Sequence, residues 1–240
     1  MHNYSKVKQI DDILRKVFIM DDNTYDPKKP DEMFNDLVSD DIQRLITMGV
    51  VSQYKAAYEY CYETFEPPEA HDLLPQYRRV CIEGIMPDIA ERIGGYTVES
   101  KKNKAKNCWH RSIVSGRIRL TQSKVDNQGI LPRDAEFRKG YAESNQMLLD
   151  FMNEDKIPEL NEEAPLYAII THSPVDDDGL LPEFVDIVFP DKECNEIVKR
   201  IKLLDKFQDI IPETDQEEVI PESLEIKLDR SAKRSSSETA

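Results

Sequence analysis

The chain has 240 residues, 39% of them hydrophobic and 33% charged, with a formal net charge of −15. That apolar content supports a packed core and excludes global disorder. No apolar run approaches the roughly 18–20 residues that span a membrane. The N-terminus, Met1 to Ile10, lacks the apolar stretch of a signal peptide. The four cysteines, Cys61, Cys81, Cys108 and Cys194, form no C-x-x-C. The expectation is a cytoplasmic protein with free thiols and no zinc ribbon.

In chain order, residues 6–20 carry Ile10, Ile13, Leu14, Val17 and Phe18 at helical spacing. A second helix is expected over 31–48, with Phe34, Leu37, Val38, Ile42, Leu45 and Ile46 inward and Gly49 as its C-terminal cap. A third, over 51–65, places Tyr54, Tyr58, Cys61, Tyr62 and Phe65 on one side and ends at Pro67-Pro68. Tyrosines so placed close a core edge with their hydroxyls in water. From Pro75 to Ile93 the helical pattern returns. Pro87 inside it predicts a kink or two short helices, closed by Gly94-Gly95.

Tyr96 to Glu99 reads as a short strand and Lys101 to Lys106 as an exposed loop. Trp109–Ser115 and Arg117–Val125 read as strands joined by a turn at Ser115-Gly116. Helix 133–153 follows, then apolar strands over 166–171 and 184–189, with Asp176, Asp177, Asp178 and Gly179 forming a turn between them. Asp191 is placed to cap a last helix over 192–207. The fold class is α+β: a helical N-terminal half packed with a small, largely antiparallel sheet in ββ-α-ββ-α order. The organisation is a helical region over 1–70, an α+β core over 71–212, and a tail over 213–240. That tail is acidic, then Ser-rich, and is expected to be mostly disordered.

One segment stands against the acidic background. Between Ser100 and Val125 there is no Asp or Glu, while Lys101, Lys102, Lys104, Lys106, Arg111, Arg117, Arg119 and Lys124 accumulate around Trp109, the only tryptophan, and His110. Residues 72–139 carry a net charge of +6, so the rest carries −21. Lysine and arginine release counterions from a phosphate backbone, arginine makes bidentate phosphate contacts, and an exposed aromatic stacks on a base. Alternation along 117–121 is expected to set the arginines on one face, so that the hairpin presents its cations together. The functional expectation is therefore an intracellular accessory or regulatory protein that binds a polyanion, nucleic acid foremost, without catalysis or cofactor. The alternative is an interaction subunit whose basic face docks an acidic protein. As a solvated sheet face, the same segment would bury Trp109 in the core.

Three further constellations compete. Pro87-Asp88 followed by Glu99-Ser100-Lys101 matches the spelling of a metal-dependent nuclease, with Asp88 and Glu99 on Mg²⁺ and Lys101 near the attacking water. Pro-Asp occurs three times in the chain, which weakens that match. His172 with Asp176, Asp177, Asp178, Asp186 and Asp191 offers metal-binding residue types, but at no metal-binding helix spacing. Asp186, inside Phe184–Val188, is expected to face water or pair with a base. Cys108 and His110, two apart on a strand, share a face as a nucleophile and base would. With eight glycines and no Walker loop or G-x-G-x-x-G, a phosphate-cradling loop is not expected.

Overall fold

The computed structural model describes residues 30–103, 106, 108–146, 165–175 and 179–211. The amphipathic stretch 6–20 and the tail 213–240 lie outside these residues, as do Lys104 and Asp176 to Asp178. Helix α1 (Pro30–Leu37) leads into two long helices, α2 (Asp40–Thr64) and α3 (Pro67–Ile93). Strands β1 (Thr97–Lys102), β2 (Trp109–Val114) and β3 (Ile118–Lys124) follow. After the short helix α4 (Glu136–Ala142), which runs on as a 3-10 turn over Glu143–Asn145, come β4 (Leu166–Pro174), β5 (Pro182–Pro190) and β6 (Ile197–Lys202). A turn of helix, α5, covers Leu203–Lys206, and a 3-10 turn over Gln208–Ile210 follows it.

The six strands lie in chain order in one sheet. Every neighbouring pair is antiparallel except β3 with β4, which is parallel and joined by the crossover through α4. The fold is thus α+β with a largely antiparallel sheet. Strand alternation separates its two faces. Val98, Ile113, Leu120, Ala168, Ile170, Val185, Ile187 and Phe189 point to the helical layer, where Ile46, Val50, Ile82, Ile85, Met86 and Ile89 meet them. On the other face Tyr167, Ile169 and Val188 pack with Ala142 of α4. No helix among the described residues is long and apolar enough to cross a membrane.

Several boundaries differ from the sequence expectation, each for a packing reason. The break between the first two helices falls at Val38-Ser39, and Gly49 lies inside α2 rather than capping a helix. A Cβ at Gly49 would come within 2.5 Å of Ile85 Cδ1, so the glycine is there for the close approach of α2 and α3. Pro67 and Pro68 begin α3 instead of ending its predecessor, as proline suits the first helical turn. Pro75 and Pro87 lie within one continuous 27-residue helix. Lys101 and Lys102 belong to β1, not to a loop. Where a last helix was expected over 192–207, β6 pairs along β5, and Asp191 accepts the Asn195 and Glu196 N–H groups of the β5–β6 turn. Ile197 and Ile201 fit both periods, and the free edge of β5 decides for the strand.

Candidate polyanion interface

The β1–β2 hairpin ends in a tight connection. Cys108 O accepts the Asn103 N–H at 2.9 Å, Asn103 O accepts the Lys106 N–H at 2.9 Å, and Lys106 adopts a left-handed φ of 58°. Immediately before and after it, Lys102 and Trp109 face each other across the ladder. Trp109 is 57% exposed, so it is not a core residue, and Lys102 Nζ lies 5.0 Å from its ring centroid. Because β3 runs antiparallel to β2, Lys124 at the end of β3 is exposed at this same end of the sheet. Lys101, one residue back on β1, points to the opposite face with its side chain 53% exposed. Lys102, Lys106, Trp109 and Lys124 thus gather at one tip.

The three arginines do not join them. Arg119 is only 12% exposed. It pairs with Glu99 at 2.9 Å, donates to Ser112 Oγ at 2.9 Å, and lies 4.3 Å over the Tyr141 ring. Glu99 is held by Arg119 and Lys101 together, which brings its carboxyl down to about 2. Arg111 points to the other face, where its Nη1 donates to the backbone carbonyl of Glu83 in α3 at 2.8 Å. Arg117 follows the β2–β3 turn, at the far end of the strands from Trp109. The expectation that the hairpin presents its cations together holds for the lysines at the tip and fails for the arginines. Two of the arginines are structural.

The nuclease constellation is not assembled. Asp88 lies on α3, in the layer covering one sheet face, whereas Glu99 points from the other face toward Arg119 and Lys101. The sheet stands between the two carboxylates. Among the described residues no group of three His, Cys, Asp or Glu side chains is placed to hold a metal ion. His172 and Asp186 also point to opposite faces, and Asp191 serves its turn. Asp186 does not face water. It is 1% exposed, accepts from Gln128 Nε2 at 3.2 Å through Oδ1, and leaves Oδ2 unpartnered; burial pushes its carboxyl up to about 6. Cys108 Sγ donates to Trp109 O and not to His110, whose ring stacks on Phe137 at 4.2 Å. All four cysteines are free thiols.

Periodicity did not reveal a buried polar chain running from α2 through the sheet to α3. Gln122 Nε2 donates to the Glu83 carboxylate at 2.9 Å, leaving Gln122 Oε1 to accept from His172 Nε2 at 3.0 Å. That places the imidazole proton on Nε2, so Nδ1 accepts from the Tyr54 hydroxyl at 2.7 Å. Tyr54 is fully buried rather than at a wet core edge, and Arg78 lies 4.4 Å over its ring. Burial, with Arg78 and Lys124 nearby, holds His172 neutral and lowers it to about 3. The clue in the sequence was polar residues in otherwise apolar runs: Glu83 among Val80–Met86, Gln122 in β3, His172 in β4. In comparison with known proteins, the chain matches no family model, no curated protein and no solved structure.

Proposed function

We propose that the protein is an intracellular accessory or regulatory factor that binds a polyanion, single-stranded nucleic acid foremost, through the tip formed by Lys102, Lys106, Trp109 and Lys124. The observation that carries this reading is the exposed Trp109 beside Lys102, with Lys124 at the same end of the sheet. An indole held open to solvent at a strand end costs hydrophobic stabilisation. It gains a use if a base stacks on it while the lysines meet the flanking phosphates. The site offers stacking and point charges without base-edge readout, so binding is tolerant of sequence and steeply dependent on salt.

Trp109 is the sole tryptophan and reports directly on stacking. Titration with oligothymidylate is expected to quench its fluorescence. The logarithm of affinity should fall linearly with the logarithm of salt. Lys102→Gln with Lys124→Gln should lower that slope by about 1.4, near 0.7 for each single-strand phosphate that a lysine no longer neutralises. Retention of one specific acidic protein, with no quenching by any nucleic acid at low salt, would replace this reading with the protein-docking alternative.

A further inference from the structure

A second feature lies on the other face of the sheet, where β2 and β3 part. Their ladder is limited to Ile113↔Leu120 and Val114↔Arg119. Beyond it, the Arg111 N–H is taken by the Glu83 carboxylate of α3 at 2.8 Å. On the side away from α3, α4 closes over the parted strands. His110 of β2 stacks on Phe137 of α4 at 4.2 Å, with Tyr141 edge-on at 6.5 Å. Arg138, the next residue of α4, reaches β3 and donates to Ser123 Oγ at 3.1 Å; its other terminal nitrogen donates to Arg133 O at 2.7 Å.

Hydrogen bonding and charge are both incomplete here. His110 Nδ1, His110 Nε2 and Arg138 Nε are buried with no hydrogen-bond partner. Arg138 bonds only neutral oxygens, and no described carboxylate pairs with it. Lys101 and Arg119 also act on His110, and their one carboxylate, Glu99, is shared between them. Among the described residues, Lys101, Arg119 and Arg138 thus act on His110, and Glu99 is the one carboxylate paired with any of the three, beside the Phe137 and Tyr141 rings. A partly buried guanidinium without a counter-charge, beside an imidazole without partners, is costly unless an anion compensates it.

We infer that this cluster of unpartnered donors, formed by His110 and Arg138 with Ser123, Phe137 and Tyr141 beside them, binds a small oxyanion, phosphate either free or as a compact monoester. The Arg138 Nε–H and a His110 ring N–H donate to its oxygens, and its charge offsets the excess carried by Lys101, Arg119 and Arg138. The site is separate from the hairpin tip, so it stands or falls independently of polyanion binding there.

The test uses the full chain with inorganic phosphate, compared with chloride at equal ionic strength. The monoester arm uses glycerol phosphate. Phosphate should raise the melting temperature in a saturable way and shift the ring proton resonances of His110. Arg138→Gln should weaken phosphate about tenfold or more, the scale of one charge-assisted hydrogen bond. Lys101→Gln, at a half-exposed side chain, should weaken it by a smaller factor. The Lys102→Gln, Lys124→Gln protein should keep its phosphate response while losing affinity for oligothymidylate. A stronger response to glycerol phosphate than to phosphate would assign the site to an ester. An absent His110 shift, or a response undiminished in folded Arg138→Gln, would overturn the inference. If Arg138→Gln does not fold, an undiminished response in Lys101→Gln overturns it equally.

Discussion

At the scale of single residues, His172 and Asp186 give opposite pH dependences. His172 is lowered to about 3 by burial, against about 6.5 unfolded. Between those values only the unfolded chain takes the proton, so the stability contributed by neutral His172 is lost as pH falls through this window. Asp186 is raised to about 6 by burial, from an ordinary value of 3.8. There the folded state holds the proton, so its contribution is present below the ordinary value and is lost as pH rises toward about 6. Asp186→Asn removes the second dependence and leaves the first. Thermal melts should show the variant gaining about 1–3 kcal/mol relative to the parent between pH 4 and pH 8. A difference between the two proteins that is flat in pH would mean that Asp186 stays ionised throughout. The sequence marked Asp186 as odd, a carboxylate within an apolar strand, and set His172 just beyond the strand expected over 166–171. It did not show that both are buried, because alternation assigns a face without saying that both faces of the central strands are covered.

At the scale of elements, Arg111 is explained by Pro87. Proline has no N–H to return to the carbonyl four residues earlier, which is that of Glu83. Arg111 Nη1 donates to that carbonyl at 2.8 Å, so the helix stays continuous through Pro87 instead of breaking. Burial of Ile82, Ile85, Met86 and Ile89 against the sheet supplies the rest. The pair was half visible in the sequence: the proline was, but its partner on β2, 24 residues later, was not. The same limit misplaced the helix ends at Gly49 and Pro67 and the identity of β6, where tertiary contacts override local pattern. Arg111→Gln is expected to cost about 1–3 kcal/mol, because it leaves the partly buried Glu83 carbonyl unpaired. Pro87→Ala restores the helical N–H, so Arg111→Gln in that background should cost less. Chemical denaturation of the four proteins measures the coupling. Additive losses would show that Arg111 does not stand in for the missing hydrogen bond.

At the scale of the whole molecule, a chain of charge −15 carries no acid from Ser100 to Val125, the segment that holds the lysine tip. Composition showed this asymmetry, and the fold class followed from the order of patterns. What composition missed was the division of the cations, because adjacent strand residues point to opposite faces and arginine readily satisfies buried acceptors. A strongly negative stretch is 213–229, with Glu213, Asp215, Glu217, Glu218, Glu222, Glu225 and Asp229 against Lys227 alone. It begins just beyond Ile211, which packs against the main core. A six-stranded sheet is about 24 Å across at ~4.8 Å per strand. Seventeen residues reach up to about 60 Å when extended, so the acids can meet the tip of the same molecule. If the tip binds a polyanion as proposed, tethering gives the acids a high effective concentration there and sets them in competition with an external polyanion. Truncation after Pro212 should therefore tighten oligothymidylate binding at low salt. The gain should shrink as the screening length falls from about 30 Å at 0.01 M toward about 8 Å at 0.15 M. Equal affinities of the full and truncated chains at every salt concentration would show that the tail does not reach the site.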